Sequence, residues 1–523
     1  MPAAAPRAGA LGTLRLTDRL VLVCIGALTA GVHVAAIALG VRFSSGELSG
    51  ATLSQVWQLL PVELLRHDLF PSIVHLQSQP PLFNLVTGGF LELPHVTQPW
   101  AADAGMLVCT VAVALGTAGM LLELGVTRIA IVVVVIVFVV ADPAQFLYTT
   151  YYFYALPTAA LVTLCGWAAA RWVRTERLSP GLAYGVLAAA LILTNSSFQV
   201  YSVGLATVPV LWVLRRRWRE AIAALLVPVA VVGIWYAIDL VQFGSATTSA
   251  WLGMNLARAT VQLDSSADID ALIKQGVLTP TASVRPFSPL ADYGSLGVHA
   301  LTGQLALDQQ LKPGSKAFPN PNYNNIAYVG IAKSYLTNDL HWIEHRPLHY
   351  LKNTTIGLRI WLLPSEQYFA TVDLGGGQTW HLDGYTTVYD EAVLLQGSPD
   401  PSAALAVVEH QAGPSLSNVS ITLALETLLT LVVLPLVAWR RRRLDRARAA
   451  AALWVWIICA SVFVTTTLLE AAENNRFRFE LGGLPLVGMT VAVAWLFDRS
   501  GLGRQAIRSL RTRSSSLLRP RAS

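Results

Sequence analysis

The chain has 523 residues, of which 13% are charged and 54% are apolar. An ordinary soluble protein carries roughly 25% charged residues, so this composition excludes a soluble chain and requires a bilayer as part of its solvent. The net charge of +6 comes without an aromatic and basic platform for single strands, so no nucleic acid is predicted as a partner.

Apolar runs that are long enough to cross a membrane, or nearly so, are distributed over both ends of the chain. The first run is too long for a signal-peptide core and is predicted to be retained as a span. The run 81–93 is shorter and predicts a juxtamembrane or re-entrant helix, so the total is ten or eleven spans. The ten spans are 20–42, 102–125, 127–141, 152–172, 181–195, 198–214, 220–243, 418–439, 450–470 and 481–498.

The distribution of basic residues predicts the sidedness, because cytoplasmic loops are enriched in Lys and Arg. With the N-terminus inside, the two tails and four short hairpins hold 24 of the 37 basic residues, all of them Arg, and 6 of the 31 acids. We therefore expect a multi-pass protein of a bacterial cell membrane, with both termini cytoplasmic.

Three segments are then predicted on the extracytoplasmic side: a first loop at 43–101, a large region at 244–417 and a turn at 470–480. The expected organisation is an N-terminal transmembrane module (1–243), an extracytoplasmic mixed domain (244–417) inserted before the last three spans, and a C-terminal module with a basic tail (418–523). Apolar spacing within the large region predicts an amphipathic helix between Tyr323 and Arg346, stopped by Pro347.

The first loop contains an unusual set of polar residues. A carboxylate held near the membrane surface can act as general base for an acceptor hydroxyl, which makes Glu47, Glu63 and Asp68 candidates. Pro80 and Pro81 predict an extended segment followed by a helix start.

The last outer turn contains Arg476 and Arg478, which alternate with Phe at the membrane boundary. Two guanidinium groups in such a position suit a lipid-linked phosphate. Further residues predicted to contact substrate are His75, Gln79, Asn84, Tyr152 and Asn475.

These features together resemble the GT-C superfamily of membrane glycosyltransferases, which includes protein mannosyltransferases, aminoarabinose transferases and actinobacterial arabinosyltransferases. The resemblance rests on Glu47 after the first span, the Pro80–Leu82 segment, a run of closely spaced spans, and Asn475–Arg478 before the last span. It covers roughly 20–243 and 418–498, and it does not extend to the large region.

The resemblance implies an all-α membrane bundle and an inverting transfer of sugar from a polyprenyl-phosphate donor to a glycan, lipid or protein acceptor on the outer face. It makes Glu47 the base and makes Arg476 and Arg478 the phosphate clamp. Many relatives have paired acids after the first span, whereas Glu47 stands alone, so Asp68 and Glu63 stay as alternatives.

Two other functions are compatible with the sequence: a transporter or flippase of a lipid-linked precursor, and an inactive scaffold of the same fold. Transporters place charges near the bilayer midplane in two related halves, whereas here the spans contain almost no ionisable residues. No motif indicates a cofactor; a divalent metal is compatible with the acids but not indicated, and no metal-ligating residue is predicted.

Overall fold

The computed structural model describes residues 15–41, 50–312, 320–368, 382–398, 400 and 413–500. Helices dominate throughout, and the one sheet in these residues is the antiparallel pair β1 (Leu311–Lys312) and β2 (Asn320–Pro321). The predicted all-α class is therefore confirmed. Glu47 lies outside the described residues.

The N-terminal half is a series of short and long helices. Pro80 is extended and Pro81 opens the fifth helix, as the sequence predicts. The helices are α1 (Leu16–Ala38), α2 (Gly50–Gln55), α3 (Val62–His67), α4 (Leu69–Val74), α5 (Pro81–Leu91), α6 (Gln98–Glu123), α7 (Arg128–Val135), α8 (Pro143–Thr150), α9 (Ala155–Thr175), α10 (Leu178–Ile192), α11 (Val200–Val213) and α12 (Trp218–Phe243).

The C-terminal half begins with shorter helices and ends with apolar ones. The predicted amphipathic helix is present as α16, and Pro347 opens the helix that follows. The helices are α13 (Leu252–Ala259), α14 (Ser266–Lys274), α15 (Leu305–Asp308), α16 (Ala327–His345), α17 (Pro347–Trp361), α18 (Asp383–Ala392), α19 (Ile421–Leu428), α20 (Leu434–Arg441), α21 (Arg446–Leu469), α22 (Asn474–Glu480) and α23 (Leu484–Ser500).

In the described part of the chain, six helical stretches are long and apolar enough to cross a membrane, or eight if each of two bent pairs is one span. The expected multi-pass architecture is thus confirmed. One stretch, Val200–Phe243, folds back at Leu214–Arg217, which brings Tyr236 of α12 beside the start of α11, where its Oη donates a hydrogen bond to Gln199 Oε1.

Both bent pairs have local causes. The π-helical segment Ile136–Val140 is followed by Asp142, which caps α8 across a 54° bend. The predicted outer turn at 470–480 is instead partly helical, since α22 occupies Asn474–Glu480 and meets α23 at 72°. Arg476 pairs with Glu473 and Glu480 at helical spacings, which stabilises this short helix.

Small residues let the helices pack closely. A Cβ added at Gly119 of α6 would lie 2.3 Å from the Trp167 ring of α9, so only glycine permits this approach. A second apolar cluster, between Trp251 and Trp342, belongs to the region after α12 and packs against Trp57 of the first loop.

Candidate functional site

A cavity of about 410 Å³, here called the Arg476 cavity, lies where several interhelical segments meet. Its volume is in the range of small-molecule sites. Its walls carry aromatic rings, amides and hydroxyls, with charges at one side. The lining residues are Trp57, Gln58, Gln79, Tyr154, Ser196, Ser197, Gln199, Val200, Tyr201, Tyr236, Ala246, Thr247, Ser249, Trp251, Leu252, Asn255, Phe287, Thr465, Thr466, Leu469, Glu470, Glu473, Arg476 and Phe477.

The first loop and the segment after α12 are fastened together beside this cavity. Ser249 Oγ donates to the Ser78 carbonyl at 2.7 Å, and the Ala250 N–H donates to the Gln77 carbonyl at 3.0 Å. Asn324 Oδ1 accepts from the Gln77 N–H at 2.8 Å. These bonds fix the cavity wall at Gln79, the next residue along the chain.

Trp57 is positioned by the large region. The buried Lys312 ammonium donates to the Val56 carbonyl at 2.7 Å, and the Arg258 guanidinium lies 5.6 Å from the centre of the Trp57 ring. Burial lowers the pKa of Lys312 to about 7. Trp57 is thus held by two basic residues from distant parts of the sequence, Lys312 at its backbone and Arg258 at its ring.

Buried charges form a continuous network on one side of the cavity. Arg258 contacts Glu473 at 2.7 Å and Glu470 at 3.5 Å. Glu473 also pairs with Arg476, which pairs in turn with Glu480. Three carboxyl groups therefore face two guanidinium groups.

The two carboxyl groups between α21 and α22 differ in their proton affinity. Burial raises the pKa of Glu470 to about 7, because desolvation outweighs the attraction of Arg258 and two backbone N–H donors. Burial also acts to raise the pKa of Glu473, but Arg476 and Arg258 outweigh it and lower that pKa. Near neutral pH, Glu470 can exchange a proton while Glu473 stays ionised.

Arg476 is itself almost completely buried, at 2% exposure. Its Nη1 atom donates to Tyr154 Oη at 2.6 Å, and the Phe477 ring centre lies 4.3 Å from the guanidinium carbon. Its Nε atom is buried and finds no hydrogen-bond acceptor among the described residues. One donor of this guanidinium is thus left without a protein partner.

Arg478 does not share this cavity. It donates to the Trp361 and Leu363 carbonyls at 3.0 and 3.1 Å and to Ser365 Oγ at 2.9 Å. Side chains two positions apart in a helix point about 200° away from each other, so α22 directs Arg476 and Arg478 to different sides. The structure therefore does not bring the two predicted clamp residues together around one cavity.

Arg478 instead lines a smaller cavity of about 60 Å³, here called the Arg478 cavity, which is large enough for a few water molecules. Three carboxyl groups line it: Asp142, Glu366 and Glu426. Glu426 lies inside α19, which is part of the candidate span Ile421–Arg441, and is thus an ionisable residue within the bundle.

Several predicted substrate contacts hold the fold together. Asn84 accepts from the Leu60 N–H at 2.8 Å and donates to the Gln58 carbonyl at 3.0 Å, which ties α5 to the cavity wall. Tyr152 is buried, and its hydroxyl lies 3.0 Å from Thr87 Oγ1. Neither side chain lines the Arg476 cavity.

The remaining predicted contacts are distributed around the site. Gln79 lines the Arg476 cavity, where its Oε1 accepts from Ser196 Oγ at 3.5 Å. Asn475 does not line this cavity; it is buried and donates to the Pro364 carbonyl at 3.1 Å. His75 lies farther out, with Nδ1 at 2.8 Å from Gln242 Oε1.

Two candidate bases of the first loop, Glu63 and Asp68, do not line the Arg476 cavity. Glu63 is exposed in the first turn of α3. Asp68 follows that helix and accepts from Ser72 Oγ at 3.3 Å. Among the described residues, no group of three His, Cys, Asp or Glu is arranged to hold a metal ion.

Reading the sequence missed the cavity residues Trp57, Trp251, Glu470 and Glu473, and it missed Arg258 behind them. Glu470 and Glu473 lie within the predicted turn at 470–480, just before Arg476, and that proximity was the available signal. Arg258 is more than 200 positions from both, so no local pattern could connect them.

The fold defines a multi-pass helical membrane protein with a cavity between its helices that is open at one rim and lined by buried charges. Comparison of the chain with protein-family models, with curated proteins and with solved structures finds no match.

Proposed function

We propose that this chain is a membrane glycosyltransferase of the GT-C type, which moves a sugar from a polyprenyl-phosphate donor to an envelope glycan, lipid or protein. The reaction takes place on the extracytoplasmic face of a bacterial cell membrane, within a bundle of ten or eleven spans, and 244–417 forms the outer domain. The observation that carries the proposal is the composition of the Arg476 cavity. Its lining combines carboxyl groups with the amides, hydroxyls and aromatic rings that suit a sugar.

The lining fits a sugar because hydroxyl groups need paired donors and acceptors, while the faces of a pyranose or furanose ring pack on aromatic rings. Gln58, Gln79 and Asn255 supply amides, and Trp57 and Trp251 supply large rings. Together they offer hydrogen bonds and flat apolar surfaces to one ligand.

The rim of the cavity fits a lipid carrier. Val200, Tyr201 and Leu252 line it and are 46%, 60% and 44% exposed, respectively. Val200 and Tyr201 begin a candidate span, so an isoprenoid chain that leaves the cavity here meets an apolar helix surface. A soluble nucleotide sugar would gain nothing from this rim.

The chemistry divides between the carboxyl and guanidinium groups of the network. A base takes the acceptor proton, the acceptor oxygen forms a bond to the anomeric carbon, and the lipid phosphate departs with the electrons of the broken bond. Glu470 suits the base because its pKa lies near neutrality. Arg476 lines the cavity, and its guanidinium would donate to the departing phosphate.

Glu47 remains the sequence-based candidate for the base, with Asp68 and Glu63 as alternatives. The test is transfer from radiolabelled polyprenyl-phosphate sugars in membranes that contain the full chain or one of its Gln or Asn variants. We expect Glu470→Gln to lower transfer at least about 100-fold, the lower range for loss of a general base. Glu92→Gln, on the exposed end of α5, is the matched control and should transfer normally.

Membrane insertion and folding of each variant are checked by size-exclusion chromatography in detergent. Full transfer by Glu470→Gln would remove that residue from the mechanism and direct attention to Glu47→Gln and Asp68→Asn. Equal transfer from a soluble nucleotide sugar, with no lipid intermediate, would contradict the proposed donor.

A second function, movement of a lipid-linked precursor across the membrane, is favoured by the Arg478 cavity. Carboxyl groups lie there beside two bent helix pairs, an arrangement typical of transport pathways. A fluorescent polyprenyl-phosphate sugar in proteoliposomes separates the two functions: movement to the opposite leaflet without transfer supports transport, and transfer without movement supports the enzyme.

A further inference from the structure

We infer that the arginine-rich end of the bundle contains a binding site for an anionic phospholipid, separate from the Arg476 cavity. Its headgroup part is a cavity of about 650 Å³, here called the basic cavity. Its chain part is an apolar groove of about 350 Å³ between α11 and α12, here called the α11–α12 groove. This inference does not depend on the proposed glycosyl transfer.

The basic cavity is built from three chain segments that the charge distribution predicts to be cytoplasmic. They are the end of α9, the turn that joins α11 to α12, and the turn that joins α20 to α21. Five Arg side chains line it: Arg174, Arg215, Arg216, Arg443 and Arg446.

The acids that line the basic cavity are engaged elsewhere. Glu176 pairs with Arg217 at 3.2 Å, and Asp445 pairs with Arg448 at 3.5 Å; neither Arg lines the cavity. Of the lining cations, Arg174 is held by Glu123 at 2.6 Å.

The other four lining Arg residues keep their charge available. Among the described residues, no carboxylate lies within ion-pair distance of Arg215, Arg216, Arg443 or Arg446. Arg215 and Arg446 flank the same ring, Trp212, at 5.7 and 5.9 Å from its centre. The cavity therefore presents a concentrated positive charge, which matches a phosphate group.

The α11–α12 groove begins where the basic cavity ends, since Arg215 lines both. The groove exists because the two helices pack against different parts of the bundle. α12 packs against α10, whereas α11 packs mainly against α21. Apart from Arg215 its lining is apolar, and Trp218, Ile222 and Leu226 are more than half exposed.

The depth of the groove matches one leaflet. Along α12 its lining runs from Trp218 to Val229, which is about 16 Å at the rise of an α-helix. Half of a hydrocarbon core is about 15 Å thick. A positive cavity above an apolar slot of this depth fits a phospholipid with its anionic headgroup at the surface and an acyl chain along α12.

The test is native mass spectrometry of the full chain in detergent, titrated with phosphatidylglycerol or with phosphatidylcholine that carries the same acyl chains. We expect the anionic lipid to bind more tightly. Arg216→Gln combined with Arg443→Gln should weaken its binding about 30-fold, which corresponds to about 2 kcal/mol for two basic residues.

Arg177→Gln combined with Arg440→Gln is the matched control, because these two Arg residues lie at the same end of the bundle but do not line the cavity. This pair should change the affinity by less than about threefold if the site is specific. If both double variants weaken phosphatidylglycerol binding equally, or if phosphatidylglycerol and phosphatidylcholine bind equally well, binding depends on diffuse surface charge or on the bilayer alone. Either result would overturn the inference.

A groove variant tests the acyl chain separately. Ile222→Trp is at a 53% exposed position, so it fills the groove without entering the helix core. We expect this variant to bind phosphatidylglycerol more weakly. Inorganic phosphate should still compete with the remaining phosphatidylglycerol for the basic cavity. Unchanged phosphatidylglycerol binding by this variant would show that the groove does not hold the lipid chain.

Discussion

Glu473→Gln is the sharpest test of the buried charge network, because Glu473 is the one carboxylate that the described structure places between both Arg258 and Arg476. Its Oε1 atom accepts from Arg258 at 2.7 Å, and its Oε2 atom accepts from Arg476. Glutamine keeps the volume and one acceptor oxygen, but it turns an N–H₂ group toward one of the two guanidinium groups. The change therefore removes a charge without opening a cavity.

The expected loss of stability depends on which carboxyl partners Arg258 and Arg476 retain in the variant. Removing one partner from a buried ion pair destabilises a protein by about 3–5 kcal/mol. Arg258 retains Glu470 at 3.5 Å and Arg476 retains Glu480, so the lower end of the range applies. We expect Glu473→Gln to lower the free energy of unfolding by about 3 kcal/mol.

The assay is denaturant unfolding of the purified chain in mixed micelles, followed by tryptophan fluorescence and by circular dichroism. Glu92→Gln, at an exposed position, should lie within about 0.5 kcal/mol of the wild type. A double-mutant cycle with Arg258→Gln should give a coupling energy of about 1–3 kcal/mol. A Glu473→Gln variant as stable as the control would refute the view that these charges stabilise each other.

Three further predictions concern protonation and local structure. If Glu470 is the base, the rate of sugar transfer should rise with pH through about 7, the pKa to which burial raises this group, and Glu470→Gln should abolish that rise; a rate that is independent of pH contradicts the assignment. Burial raises the pKa of Asp339 to about 8, so the folded state binds a proton that the unfolded state releases at lower pH, and stability should fall as the pH rises to about 9. In thermal denaturation, the stability of Asp339→Asn relative to the wild type should therefore increase between about pH 6 and pH 9. A stability difference that does not change with pH would contradict this assignment. Asn84→Ala should lower the free energy of unfolding by about 1–3 kcal/mol through its two lost backbone partners, whereas normal stability with a raised KM would indicate substrate contact.

The sequence by itself predicted a helical, multi-pass membrane protein. A helix in lipid must satisfy its own backbone and present mostly apolar side chains to the lipid, so a long apolar run is a sufficient signal. The start of α5 was equally local, because Pro80 and Pro81 set their own backbone angles. The amphipathic helix α16 followed from the spacing of its apolar residues.

Only the tertiary structure decided which polar groups share a cavity. Arg476 and Arg478 looked like a pair in the sequence, but the helical conformation of α22 directs them apart. The charge that does complete the network, Arg258, comes from α13, and Trp57 comes from the first loop. The physical reason is that insertion into lipid depends on the apolar composition of one continuous segment. A buried charge, in contrast, is stabilised by whichever partner the packing of distant helices brings within a few ångströms.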